Sequence, residues 1–211
     1  MNSTMKTYSQ YNQDVWLKNN IFSNISDGVF IEIGADDGLD KSNTKLFEEL
    51  GWSGLCIEPS PSRYKKLISN RSCVCENYAI SDSIGEIEFL DISGWGKGLS
   101  GITSKYSDEH LHRIKNEIKH PDNNGHEKIT VKTTTLEHLL HKHGMECVDF
   151  CSIDTEGCEY DIIKSINFNN ITIDVFLIEN NYNDNSVEDY LLKNNYKKIQ
   201  KLAIDDVYQR F

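Results

Sequence analysis

The stretch GVFIEIGADDGLDKSNTKLFEELGWSGLCIEP, residues 28–59, carries the fold. Its first seven residues, Gly28 to Gly34, form an apolar run broken by one acid, Glu32. That is the pattern of a strand buried on both faces. A polar loop follows, Ala35 to Lys41. Ser42 is placed to cap a helix over Asn43 to Leu50, and Gly51 to end it. Trp52 to Glu58 reads as a second strand, stopped by Pro59. Strand, glycine turn, helix and strand make one unit of a parallel sheet with a helical crossover.

The same alternation runs outward from there. Helices are expected over Ser9–Phe22, Ser62–Asn70, Leu136–His143, Glu159–Ile166 and Val187–Asn194. Strands are expected over Ser72–Asn77, Ile129–Thr134, Asp149–Asp154 and Ile173–Ile178. Ser83–Leu90 alternates in polarity and reads as an accessory hairpin strand. Tyr196–Ile204 and Val207–Phe211 read as a closing antiparallel pair. The expected architecture is α/β, a Rossmann-like doubly wound and mostly parallel sheet with an antiparallel C-terminal strand. One domain spans 1–211, with 1–27 as a helical N-terminal cap. Residues 91–127 form an insertion with a Gly-rich start, a polar helix and a closing loop over Pro121–Gly125. Such sheets bind ligands beyond the C-terminal strand ends. The loops after Gly34, Glu58, Asn77, Asp154 and Ile178 are therefore where chemistry is expected.

Bulk properties narrow the function. The chain has 211 residues, enough to bury a core without disulfide staples, and a net charge of −11. That charge disfavours nucleic-acid backbones as partners. The basic groups Lys65, Lys66 and Arg71, and Lys197, Lys198 and Lys201, read as solvated faces. None of the six cysteines forms a C-x-x-C pair, so they read as reduced, buried thiols in a reducing compartment. No apolar run approaches the ~20 residues of a membrane-spanning helix. The expectation is a cytoplasmic protein with a small-molecule partner.

The first loop, Gly34-Ala35-Asp36-Asp37-Gly38, is a glycine turn, and Glu58 stands 20 residues after Gly38. An acid at that strand end can accept both hydroxyls of a ribose. Dinucleotide enzymes place G-x-G-x-x-G here, because a pyrophosphate packs on bare backbone amides. Asp36 takes the place of the second glycine, and Asp37 adds another carboxylate. Two acids repel a pyrophosphate but tolerate a ligand with a sulfonium and an ammonium. The loop therefore favours S-adenosylmethionine over NAD. A dinucleotide-dependent oxidoreductase and a non-catalytic binding module on the same fold are the rival readings.

Several motifs in order resemble one family. They are Tyr8-Ser9-Gln10 with Gln13-Asp14, Glu32 to Gly38, Ser42-Asn43-Thr44, Gly51-Trp52 and Ile57-Glu58-Pro59. The series continues through Asn77, Ala79-Ile80, Ser100-Gly101-Ile102, Ile153 to Gly157 with Glu159, and Asp206-Val207-Tyr208. Together they resemble the FkbM methyltransferases. The resemblance implies a class I methyltransferase fold and S-adenosylmethionine as donor. It also implies O-methylation of a sugar, glycan or natural-product hydroxyl. By the same resemblance Gly34, Ala35, Asp36 and Gly38 hold the methionine part, and Glu58 with Pro59 the ribose. Asn77, Ala79 and Asp82 flank the adenine, and Glu32 and Asn43 complete the cofactor set. The acceptor site is expected from the N-terminal helix and the 91–127 insertion.

A sugar hydroxyl is a poor nucleophile until its proton is removed or its oxygen is bound to a metal. Asp154 and Glu156 follow a buried strand and are candidate bases, with Glu179 beside them. His110 and His112 compete but read as a surface helix. Asp154 at one strand end and Glu179-Asn180 at the next resemble the Asp plus Asp-Asn magnesium site of catechol-type O-methyltransferases. Such oxygen ligands suit Mg²⁺ or Mn²⁺. The other role for Glu179 is hydrogen bonding to the cofactor loop or N-terminal helix. His138, His141 and His143 read as a solvated helix end.

Overall fold

A computed structural model describes residues 5–211. Residues 1–4 of the expected N-terminal cap lie outside the described residues. Seven strands form the central sheet: β1 (Val29–Ile33), β2 (Ser53–Ile57), β3 (Val74–Glu76), β8 (Cys147–Ile153), β9 (Thr172–Glu179), β10 (Tyr196–Leu202) and β11 (Asp205–Arg210). Their order is β10-β11-β9-β8-β1-β2-β3. β11 runs antiparallel to both β9 and β10, while the other neighbours pair in parallel. The order reverses between β1 and β8, which is where such sheets open to ligands.

Both faces of this sheet are apolar, so its strands read as near-continuous hydrophobic runs. Ile31, Ile33, Leu55, Ile57, Cys151 and Ile153 pack on one side. Phe30, Cys56, Phe150 and Val175 pack on the other, with Phe22, Phe47 and Trp52. Around the sheet lie α1 (Gln13–Asn20), α2 (Lys45–Glu49), α3 (Pro61–Asn70), α5 (Leu136–His143), α6 (Glu159–Ser165) and α7 (Ser186–Lys193). Among the described residues no helix is long and apolar enough to cross a membrane.

A second sheet has the order β4-β7-β5-β6. It contains β4 (Ala79–Ile80), β5 (Gly85–Gly94), β6 (Gly101–Ile102) and β7 (Asn123–Thr134). β5 and β7 pair from Gly85 opposite Thr133 to Gly94 opposite Asn123. Between them lie the 3-10 turn Trp95–Leu99 and α4 (Asp108–Glu117). The insertion is thus largely a long hairpin arm. The expected strands end too early at Leu90 and begin too late at Ile129, and part of the Pro121–Gly125 loop is strand. An antiparallel ribbon with a wet face needs little apolar sequence, so its polar half gave no signal.

Two helix starts also differ, for one reason: side-chain acids capture the preceding backbone. Asp14 accepts from Thr7 Oγ1 (2.7 Å), the Tyr8 N–H (2.8 Å) and Ser9 Oγ (2.7 Å), so the first helix starts at Gln13 rather than Ser9. Glu32 similarly holds residues 42–44, and α2 starts at Lys45 rather than Asn43. The N-cap is Thr44 rather than Ser42 and makes no side-chain cap, although the Ser42 Oγ accepts from the Lys45 N–H at 3.0 Å.

Candidate active site

Glu32 sits at the heart of the first crossover. Its carboxylate accepts from Ser42 Oγ (2.8 Å), the Asn43 N–H (2.7 Å), Thr44 Oγ1 (2.8 Å) and Arg71 Nη1 (3.0 Å). The Arg71 side chain is fully buried and also donates to Glu48. Arg71 is therefore not part of a solvated face with Lys65 and Lys66. It follows α3, turns inward, and supplies the cation that a buried carboxylate requires. Glu32 borders the cleft described next, but its oxygens are committed to this loop. Asn43 does not line the cleft; its amide donates to Ser152 Oγ at 3.0 Å. Gly38 also lies off the lining, where a Cβ would meet Leu67 at 2.6 Å and Arg71 at 2.7 Å.

A cleft of about 400 Å³ opens at the switch point. Gly34 has φ 85°, and a Cβ there would lie 1.8 Å from the Asp154 carbonyl oxygen. A bare backbone lets the exits of β1 and β8 pass this closely. Glu58 is buried, and its two oxygens accept the Asp36 N–H (2.9 Å) and the Ser60 N–H (2.8 Å). Each oxygen keeps a further lone pair. Burial pushes the Glu58 pKa up to about 7. Asn77 braces this corner from behind, donating to the carbonyls of Glu58 (2.7 Å) and Pro59 (3.0 Å). Ala35, Pro59, Tyr78, Ala79, Ile80, Phe89 and Ile102 give the cleft an apolar wall. Asp82 is exposed outside the lining and accepts from the hydroxyls of Ser81 and Ser83.

The loop acids behave differently from expectation. Asp36 pairs with Lys97 Nζ (2.8 Å) and Arg63 Nε (3.5 Å). Asp37 accepts the Leu39 and Asp40 amides and simply shapes the turn. Asp36 is thereby largely neutralised, and the loop does not repel a pyrophosphate as its two acids alone predict. Arg63 and Lys97 both line the cleft, and neither stood out in the sequence. Lys97 lies in the Gly-rich start of the insertion, which was the one available signal.

At the far end of the cleft Asp154, Glu156 and Glu179 converge, with one oxygen from each within 4.8 Å of the others. Asp154 leaves β8 with its N–H on the Ile33 carbonyl (3.0 Å). Glu156 has φ 56°, a left-handed conformation that costs a non-glycine residue roughly 1 kcal/mol or more. Glu159 fixes the loop by accepting from the N–H groups of Thr155 (2.8 Å) and Gly157 (3.0 Å). The Glu156 side chain is 10% exposed, and its Oε2 has no hydrogen-bond partner. The nearest cationic candidates are His110 Nδ1 at 3.4 Å and Arg113 Nη1 at 3.9 Å.

Burial and mutual repulsion act on all three acids. Asp154 opens onto the cleft yet is ringed by protein; burial, then Asp205 and Glu159, push its pKa up to about 7. Burial and Asp154 raise Glu156 and Glu179 well above the usual carboxylate range. Asn180 does not join them. Its amide donates to Asp206 (2.9 Å) and the Asp184 carbonyl (3.0 Å), and its oxygen accepts the Asp184 N–H. Glu156 stands where Asn180 was expected.

His110 is buried rather than a surface residue, and burial lowers its pKa. His112 is exposed. His141 and His143 pair with separate acids, Glu146 and Glu76, and make no cluster with His138. A second cavity of about 380 Å³ shares Glu156, Glu179 and Asn181 with the cleft. The insertion lines both: Lys97, Gly98, Ser100 and Ile102 face the cleft, while Lys105, Ser107, Glu109 and His110 face the second cavity. The N-terminal segment reaches the cleft through Gln10 and Tyr11, which precede α1. Buried Gln13 and Asp205 join that segment to the C-terminal hairpin by a hydrogen bond.

The sheet order with its single reversed strand, the glycine exit from β1 and the acid at the end of β2 define a Rossmann-like methyltransferase of class I. The chain belongs to the FkbM methyltransferase family, whose methyltransferase FkbM domain matches residues 32–198. No curated protein matches the chain. Among solved structures, the METTL16 methyltransferase domain is 12% identical with a TM-score of 0.48, and the match covers 95% of this chain and 66% of that one. A Pyrococcus horikoshii protein described as an RNA methyltransferase is 11% identical with a TM-score of 0.47, covering 98% and 87%. A precorrin-6y C5,15-methyltransferase from Geobacter metallireducens is 13% identical with a TM-score of 0.44, covering 98% and 87%. These are too distant to carry a substrate to this chain.

Proposed function

We propose that this chain is an S-adenosylmethionine-dependent O-methyltransferase acting on a hydroxyl of a small, sugar-like acceptor. One observation carries the reading: the cleft and the second cavity meet at Glu156 and Glu179, and Asp154 joins these two acids from the cleft side. S-adenosylmethionine supplies a methyl group activated by a sulfonium. Its fit is supported by the remaining lone pairs of buried Glu58, by the close approach that Gly34 permits, and by the apolar wall from Tyr78 to Ile102. Gly34, Ala35, Asp36, Glu58, Pro59 and Ala79 would touch it. Glu32, Gly38, Asn43 and Asn77 would hold those residues in place.

Glu156 borders both cavities with a free oxygen and would take the acceptor's proton. Asp154 and Glu179 would fix its position, and residues 97–110 would enclose the acceptor. The net charge of −11 disfavours a nucleic-acid acceptor. The six cysteines are free, with Cys56 and Cys73 sulfurs 3.5 Å apart, which suits the reducing cytoplasm.

Calorimetry with S-adenosylhomocysteine tests the donor: saturable binding is expected, and no heat at millimolar ligand would contradict it. A dinucleotide enzyme would instead enhance NAD(P)H fluorescence. A binding module would take the cofactor without turnover on any acceptor.

The carboxyl cluster also supports a metal-assisted variant. Asp154, Glu156 and Glu179 offer three oxygens at a spacing that suits Mg²⁺ or Mn²⁺, which would lower the pKa of a bound hydroxyl. Turnover that is lost in EDTA and restored by Mg²⁺ supports this variant. Indifference to EDTA leaves the carboxylate base.

A further inference from the structure

We infer that the second cavity selects a hydroxylated acceptor bearing an ammonium group, such as an amino sugar or amino polyol. It selects against neutral and phosphorylated counterparts. The inference rests on the methyl-transfer reading and names the substrate class for that site.

Five carboxyl side chains line the cavity: Glu109, Glu156, Glu159, Glu179 and Asp184. Among the described residues Lys105 is the only ammonium in the lining, and it is tied to Asp161 at 2.6 Å. The buried His110 ring is engaged by the Leu99 carbonyl (3.3 Å) and the Tyr182 hydroxyl (3.3 Å). Arg113, in the lining of the cleft and 45% exposed, approaches the same Glu156 oxygen at 3.9 Å, within ion-pair reach, and supplies only a solvent-screened countercharge.

Acid lining alone is common on a chain of this charge. The independent observation is Glu156 Oε2, an acceptor nine-tenths buried at the inner wall with no hydrogen-bond partner. A buried carboxylate oxygen left unmet is costly, and an N–H or O–H donor from a ligand relieves that cost. Glu159 and Asp184 are partly spent on their own loops, with Thr155, Gly157 and Ser186. Glu156, Glu179 and Glu109 make no such loop contacts among the described residues.

The remaining walls suit a cation as well. Tyr160 and Tyr182 also line the cavity and are exposed; Lys164 Nζ already lies over the Tyr160 ring at 5.8 Å, which leaves Tyr182 as the aromatic neighbour for a ligand cation. Tyrosine faces beside carboxylates are the chemistry that holds an ammonium group. A phosphate would bring its own charge against all five acids. The ammonium keeps its proton in such surroundings and cannot act as the nucleophile, which leaves a neighbouring hydroxyl to receive the methyl group.

The test uses the full chain saturated with S-adenosylhomocysteine. Glucosamine, N-acetylglucosamine and glucosamine 6-phosphate are then titrated into it calorimetrically. Glucosamine should bind roughly tenfold more tightly than N-acetylglucosamine, as one charge-assisted contact implies, and more tightly than the phosphate. Glu109→Gln, on the exposed start of α4, should shrink that preference several-fold while the cofactor-product heat persists as proof of folding. Equal binding of the three sugars, tighter binding of the phosphate, or no glucosamine heat on the loaded chain overturns the inference. Absent heat with S-adenosylhomocysteine itself strikes the methyl-transfer reading, and the inference goes with it.

Discussion

Two buried acids at neighbouring strand ends meet opposite fates. Glu32 on β1 is met by three oxygen- and nitrogen-bearing neighbours from residues 42–44 and by the guanidinium of Arg71. Glu156, past β8, has a buried oxygen that nothing in the described chain satisfies, and Asp154 and Glu179 crowd it with more carboxyls. The first arrangement is closed and holds the crossover together. The second is open toward two cavities and has a deficit of positive charge. A compensated buried acid is architecture; an uncompensated one beside a cleft points to a ligand that brings the missing donor or cation.

The comparison can be broken most severely at Arg71. Arg71→Ala strands the Glu32 carboxylate and should cost about 3–5 kcal/mol of stability, read as a fall in the denaturant midpoint. Near-normal stability would mean Glu32 is not buried as described. Glu58→Ala, at the cofactor end, should weaken S-adenosylhomocysteine binding by about 1–3 kcal/mol in calorimetry and leave the fold intact. Unchanged affinity would separate Glu58 from the cofactor.

The same residue sets a pH dependence. Folded Glu58 keeps its proton to about 7, against an ordinary value of 4.5. Its contribution to stability therefore falls as pH rises from 4.5 to 7, and Glu58→Gln should flatten that part of a melting-temperature profile. Cofactor-product affinity should weaken as pH drops below 7, because the protonated acid loses acceptor capacity.

Glu156→Gln removes one of three crowded carboxyls and should stabilise the unliganded chain by about 1 kcal/mol while abolishing transfer. A loss of stability comparable to Arg71→Ala would show that both acids are architectural. Smallest of all, Lys97→Ala breaks a pair whose partners are 32% and 26% exposed. It should shift the melting temperature little, in line with a cost under about 1 kcal/mol.

Much of this was legible in the sequence. The doubly wound sheet follows from the buried runs at Val29–Ile33, Ser53–Ile57, Cys147–Ile153 and Thr172–Glu179, because apolar periodicity is local. The convergence of Asp154 and Glu179 follows from their places at adjacent strand ends. What stayed hidden depends on long-range partners. An arginine beside two lysines reads as surface, and only the buried acid on β1 demands that it turn inward. Asp36 reads as repulsive until Arg63 and Lys97 arrive from α3 and the insertion. Asn180 stays out of the acidic cluster because Asp206 and Asp184, remote or in a loop, engage its amide first. The polar half of the β5–β7 hairpin has no apolar pattern to read.

The most direct test of the central claim is a calorimetric titration of the full chain with S-adenosylhomocysteine, run side by side on the wild type and on Glu58→Ala. The account predicts saturable one-to-one binding that Glu58→Ala weakens by about 1–3 kcal/mol. Absence of heat at millimolar ligand, or equal affinity in the two proteins, would contradict it.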